Sequence, residues 1–190
     1  MYPPAVRLVA GIAVPNFSVT DLEGEPVTAQ TYAGRRLWLI LARFAACPFC
    51  SLLLRDVVER HEAVAAAGVE VLVIFPSSEK RVSQFAKKYQ PGFRVAADPE
   101  QVAFEQFGSE TSWEGEMRSA VNIPKVLKAL LTTKMNPLAI DDAPHRMPSG
   151  YLIEANGMIG RVHYGSQLDD GIAVDEVLKW AQTDPAARPS

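Results

Sequence analysis

Residues 37–41, Leu-Trp-Leu-Ile-Leu, are apolar without a break and are flanked by arginines. The run is far below the roughly 20 residues of a membrane span. With no alternation it has no polar face to turn to water, so it predicts a central strand of a covered sheet. Val-Glu-Val-Leu-Val-Ile-Phe at 69–75 reads as the next buried strand. Between the two, Phe49, Leu53, Val57 and Val64 fall at helical spacing, and Gly68 supplies a C-terminal stop.

The same alternation continues along the chain. Val82, Phe85, Ala86 and Tyr89 share one face of a predicted helix, with Ser77 or Ser78 available as its cap. Gly-Phe-Arg-Val-Ala-Ala-Asp at 92–98 is a third strand. Asp98 then caps a short helix with Pro99 at its first position. The stretch 17–30 reads as a small hairpin turning at Glu23-Gly24, and 149–165 as a pair of strands joined through Asn156-Gly157, a strong hairpin signal. Residues 173–182 close as a helix. Strands alternating with helices, with a hairpin at each end, predict an α/β fold with a mixed sheet. Residues 1–190 make one domain of ordinary size, ending in a frayed tail.

One segment, 109–145, is not required by that pattern. It holds a predicted helix interrupted by Pro124, the polar loop carrying Asp141 and Asp142, and Trp113. It reads as an insertion of the kind that shapes a substrate site or an oligomer interface. Trp113 is expected at the surface or an interface, and the two aspartates as a solvated loop. Trp38 and Trp180 read as packing residues, and His163 as a sheet residue.

Net charge is −3 and no cluster of lysine or arginine stands out, so nucleic acid and anionic membrane surfaces are not expected partners. No basic segment precedes an apolar stretch at the N-terminus, so no signal peptide is read there. Two cysteines do not make a secreted disulfide framework, and a reducing cytoplasm is the expected compartment.

Those two cysteines, Cys47 and Cys50, stand three positions apart directly after the first central strand. Cys47 is placed at or just before a helix start, with Pro48 at the first helical position. Free backbone N–H groups and the positive end of the helix dipole then favour the thiolate. Thiols in such places fall to about 3.5–7.5 from a free value of about 8.5. Cys50 lies one turn deeper, and a disulfide closing so short a loop forms and breaks readily. A zinc site would need a second such pair, and His61, His145 and His163 are scattered, so no metal and no other cofactor is expected. Inert packing remains open for a buried thiol. A C-x-x-C after a central strand of an α/β sheet is, however, a thioredoxin-like redox signal.

The entry segment, with Gly11, Pro15, Phe17, Asp21 and Gly24 ahead of the strand that leads to Cys47, resembles the alkyl hydroperoxide reductase/thiol-specific antioxidant family. That family belongs to the thioredoxin superfamily and includes the peroxiredoxins. The later stretch 147–165 is similar to the family's strand pair. The resemblance runs from about Gly11 to Trp180 and is nearest the branch with C-x-x-C at the active site. It implies a thioredoxin-like fold with helices on both faces of the sheet, an N-terminal hairpin, and the helical insertion placed before a cis-proline strand. It also implies that Cys47 is the peroxidatic cysteine, that Cys50 resolves it through a redox-active disulfide, and that Pro148 is held in cis opposite the sulfur. The chain departs from the pattern twice. Phe44 stands where the family has a Thr or Ser, and Pro148 fills the place of an arginine. Arg146 and Arg43 are the candidates to supply that charge, and ordinary solvated positions are the alternative for each. His145 is a weaker candidate as a proton donor.

Three functions follow as expectations. The first is a thiol peroxidase acting on a small-molecule peroxide, recharged by a thiol reductant such as thioredoxin or glutathione. The second is a thiol–disulfide oxidoreductase of thioredoxin or glutaredoxin type, acting on a protein or low-molecular-weight disulfide, in which Phe44 supplies a hydrophobic rim and Pro148 docks an extended peptide. The third is a non-enzymatic redoxin-fold binding or sensing module. Many relatives dimerise, and a homodimer fits the resemblance.

Overall fold

The computed structural model describes residues 6–45, 50–109, 146–166 and 170–183, with the side chains of 50–53 left aside. Cys47, Pro48, Phe49, Pro124, the 110–145 part of the insertion (with Trp113, Asp141, Asp142 and His145) and the tail lie outside the described residues.

The strands are β1 (Ser18–Asp21), β2 (Pro26–Thr28), β3 (Arg36–Leu41), β4 (Val69–Phe75), β5 (Arg94–Ala97), β6 (Ser149–Ile153) and β7 (Ile159–Tyr164). The helices are α1 (Cys50–Ala66), α2 (Glu79–Tyr89), α3 (Val102–Gln106) and α4 (Val174–Gln182), with a 3₁₀ turn at Ala29–Tyr32. They build one seven-stranded sheet in the order β2-β1-β5-β4-β3-β6-β7. β3, β4 and β5 run parallel, and every other neighbouring pair is antiparallel. The mixed sheet expected from the strand–helix alternation is therefore present.

The unbroken apolar runs sit at the centre because both their faces are covered. Trp38, Ile40, Val71 and Val73 belong to one core with Leu54, Val57 and Val64 of α1, Val82 and Phe85 of α2, and Val177 and Trp180 of α4. Leu37, Leu39, Leu41, Leu72 and Ile74 belong to the other, with Phe17, Tyr32 and Ala103 and Phe104 of α3. Successive residues of a strand point to opposite faces, so one run of side chains fills both cores. Each fully buried aliphatic contributes about 1.5–3 kcal/mol.

Turn chemistry explains the element ends. Gly68 takes φ +76° where α1 stops, and Gly157 takes φ +81° in the β6–β7 turn, conformations that a Cβ would strain. Gln101, not Asp98, holds the cap position of α3, but the Asp98 carboxylate accepts from the first N–H groups of the helix, Val102 (3.1 Å) and Ala103 (2.9 Å). Nor is Pro99 the first helical residue. It lies in a turn, and the helix begins at Val102, because Gln101 takes a left-handed conformation at φ +60° that holds the chain out of the helix until then.

Ahead of β1, an N-terminal arm runs along the start of β7. Gly11 N–H donates to the Ile159 carbonyl (2.8 Å), and Ile159 N–H returns a bond to the Ile12 carbonyl (2.8 Å). The Tyr164 hydroxyl accepts from Leu8 N–H (2.7 Å) and donates to the Phe107 carbonyl (2.8 Å). Among the described residues no helix is long and apolar enough to cross a membrane.

Candidate active site

The parallel strands β3, β4 and β5 all end at one edge of the sheet, and the register Leu41↔Ser149 brings the start of antiparallel β6 to the same edge. Open α/β sheets bind ligands outside the carboxyl ends of their strands. Here the chain leaving β3 passes through 42–45 towards Cys47, and Cys50 opens α1. No acidic residue stands in the first turn of α1, so none there opposes a thiolate.

Three contacts hold residues 42–45, which lead to Cys47. Ala42 N–H donates to the Ile74 carbonyl (2.9 Å), extending the parallel ladder one residue beyond β3. Arg43 Nε donates to the Arg146 carbonyl (2.8 Å). Ala45 N–H donates to the Ser77 hydroxyl oxygen (3.0 Å). All of these residues but Arg146 are buried, so each bond is made in a low-dielectric setting where losing it is costly.

Four residues differ from their sequence-based expectations. Arg43 is not a solvated charge. It is 2% exposed, with its guanidinium 5.3 Å from the Phe44 ring centre. Phe44 is not a rim. It is 7% exposed and packs into the core of Trp38 and Leu54, because the arginine beside it covers its outer face. Pro148 is not in cis. No cis peptide bond occurs among the described residues, so Met147–Pro148 is trans, the isomer an X-Pro bond favours by about 0.5–1 kcal/mol. The Pro148 carbonyl accepts Gly165 N–H (2.8 Å). Ser77 does not cap α2. Ser78 holds the cap position without a side-chain bond, and the Ser77 hydroxyl reaches across to Ala45 instead.

Arg146 is half-buried on the α3 side of this edge. Its Nε donates to Gln101 Oε1 (2.6 Å), a second nitrogen donates to the Ser109 carbonyl (2.5 Å), and its guanidinium lies 5.6 Å from the Phe104 ring centre. Burial pulls its pKa below the ordinary arginine value, against the opposing pull of Glu105 and Asp98. It keeps its charge at neutral pH nonetheless. Burial raises the Asp98 carboxyl, against the N–H groups of Ala103, Val102 and Phe104 and the charge of Arg146, which pull it down. Arg43 and Arg146, joined by one hydrogen bond, thus both stand at the edge from which the chain leads to Cys47.

The sequence singled out Arg43 and Arg146 without their directions. Ser77 and Gln101 were missed as site residues. Ser77 had a signal, since it follows a buried parallel strand at the end where such folds place function. Gln101 had none, because nothing in its neighbours requires a left-handed backbone there.

A model of the AhpC/TSA family matches residues 10–161. The chain is 29% identical over 117 residues to peroxiredoxin Bcp of Escherichia coli (strain K12), covering 60% of this chain and 75% of that one. It is 24% identical over 178 residues to the chloroplastic peroxiredoxin Q of Sedum lineare, covering 93% and 80%. Among solved structures, peroxidoxin BcpB from Mycobacterium tuberculosis superposes with a TM-score of 0.70 at 14% identity, covering 96% of this chain and 100% of that one. That likeness gives the fold, which is thioredoxin-like. The family match takes in the hairpin, the strand leading to Cys47, all of β6 and the first half of β7, well over half of the length, and the chain belongs to the AhpC/TSA family.

Proposed function

We propose that the protein reduces peroxides through Cys47, with Cys50 as the resolving thiol. Family membership makes it an oxidoreductase of the thiol-peroxidase type. The observation that supports the assignment of roles is the sheet edge itself, where the chain bound for Cys47 leaves β3 carrying buried Arg43, which is bonded to the Arg146 carbonyl, and where α1 opens at Cys50.

In the first step the Cys47 thiolate attacks one peroxide oxygen. The S–O bond forms, the O–O bond breaks, and water or an alcohol leaves once protonated, the sulfur losing the two electrons that the peroxide gains. Cys50 then displaces water from the sulfenic acid to give the Cys47–Cys50 disulfide. Two equivalents of an external thiol, from a thioredoxin or glutathione, return the pair to the reduced state and leave as a disulfide. A reducing cytoplasm is the setting that keeps such a cycle supplied.

Phe44 is buried and Pro148 is trans, and neither supports disulfide exchange with a docked peptide. The test is to mix fully reduced protein with one equivalent of hydrogen peroxide and follow disulfide formation by intact mass, beside Cys47→Ser and free cysteine. Disulfide formation orders of magnitude faster than the oxidation of free cysteine, and absent in Cys47→Ser, is the expected result. A rate no faster than free cysteine would overturn the peroxidase reading.

A further inference from the structure

The Ser77 hydroxyl stands one residue ahead of the α2 cap position, close enough in sequence to serve that helix. Here it does not. Its oxygen lies 3.0 Å from the amide nitrogen of Ala45, 32 positions away, and Ser77 is 1% exposed. Ala45 is itself 8% exposed and stands two residues before Cys47. A buried N–H needs an acceptor, and the regular ladder cannot supply one. The parallel pairing of β3 with β4 ends at Leu41↔Ile74 and is prolonged only by the bond from Ala42 to Ile74. Ser77 therefore takes over where the sheet stops, continuing the hold of β4 on this chain segment by means of a side chain.

We propose that Ser77 is a positioning residue for Cys47, acting by fixing the backbone at Ala45, two residues ahead of it in the chain. The inference rests on Cys47 being the attacking thiol. Ser77 acts through the Ala45 amide and touches no reacting atom. Misplacement of a reacting group by 1 Å can lower a rate by about 10²-fold. A single hydroxyl that sets its place is thus a determinant of reactivity as well as of stability. The Ser77 oxygen accepts, so threonine can keep the bond and alanine cannot.

The experiment uses full-length protein in a Cys50→Ser background, where Cys47 is the one remaining thiol. Two quantities are read: the rate of Cys47 oxidation by hydrogen peroxide, and the pH midpoint of Cys47 alkylation by iodoacetamide. Adding Ser77→Ala is expected to lower the oxidation rate by roughly 10–10²-fold and to move the alkylation midpoint upward, while Ser77→Thr holds both near the parent values. Equal rates and midpoints in Ser77→Ala and its parent, with only the melting temperature lowered, would overturn the proposal. Amide hydrogen exchange at Ala45 in the unsubstituted protein supplies a second reading, should Ser77→Ala fail to fold. Protection is expected, and exchange at the rate of a free amide would overturn the proposal as well. Cys47→Ser in the otherwise native chain separates the two claims. If it still consumes peroxide, the role of Cys47 fails whatever Ser77 does.

Discussion

Arg43 and Arg146, 103 positions apart, are joined by a hydrogen bond of 2.8 Å from the Nε of the first to the backbone carbonyl of the second. The bond ties the segment after β3 to the segment before β6 and is made by a side chain that is 2% exposed. The charge of Arg43 thus serves as a brace within the sheet edge.

Replacing that brace should cost stability and speed together. Arg43→Met keeps much of the volume but removes the donor and leaves the carbonyl short of a partner. A loss of about 2 kcal/mol is expected, from the range for bonds to charged groups. Arg43→Lys should recover only part of it, since an ammonium lacks the fixed fork of a guanidinium. Urea unfolding of the three proteins checks the order.

Asp98 gives a prediction whose sign depends on pH. Burial raises its carboxyl above the ordinary 3.8, against the pull of its backbone donors, so the folded state binds the proton more readily than the unfolded chain. Its contribution to stability is therefore greatest below the unfolded value and declines as pH rises through the raised folded value. Asp98→Asn removes that titration, so the stability of the native protein relative to Asp98→Asn should improve as pH falls from 7 to 4. Asp98→Ala should cost about 1 kcal/mol at pH 7 through loss of its bonds to the first N–H groups of α3. Denaturant midpoints at the two pH values decide both points.

Asp170 behaves in the opposite way. Burial opposes its ionisation. The Ser166 N–H (2.8 Å) and hydroxyl (3.0 Å), together with His163 Nε2 (2.8 Å), outweigh that effect and hold the carboxyl below 3.8. Its contribution is present above the unfolded value and lost as pH falls through the lower folded one. Because the pair is about one-third exposed, Asp170→Asn should cost no more than about 1 kcal/mol at pH 7. The difference should shrink as pH falls below the unfolded value, as unfolding at neutral and acid pH would show.

Gln90 ends α2 in the left-handed region at φ +45°, with its N–H on the Ala86 carbonyl and its side chain exposed. Glycine takes that conformation without strain, so Gln90→Gly should raise stability by about 0.5–1 kcal/mol. An unchanged or lowered melting temperature would count against this account of the helix end.

What the residues disclosed before folding follows from the range of the forces involved. The sheet was legible from 37–41 and 71–75 because burial on two faces leaves runs of consecutive apolar residues, a purely local signature; Glu70 is exposed near the start of β4. Cys47 and Cys50 can be proposed from sequence because the chemistry proposed for them depends on spacing along one turn. Ser77 and Ser78 were both read as possible caps because their near neighbours permit either, and Ser78 holds the cap position. The actual partner of Ser77, Ala45, is brought close only by the pairing of β3 with β4. The directions of Arg43 and Arg146 depend likewise on where β6 lies. The cis-proline expectation came from family pattern, and the trans bond at Pro148 follows the ordinary preference of the peptide. The late start of α3 turns on one backbone angle at Gln101 that composition does not announce.

The arm at Gly11 and Ile12 has a practical consequence for anyone handling the protein. β7 is the last strand of the sheet, and at Ile159 both of its outward backbone groups are occupied by the arm. An exposed strand edge is a template for another chain. Deleting residues up to 14 would free that stretch, and the shortened protein should self-associate along β7, visible as larger species in size-exclusion chromatography. The arm is in this sense the protein's protection against its own copies.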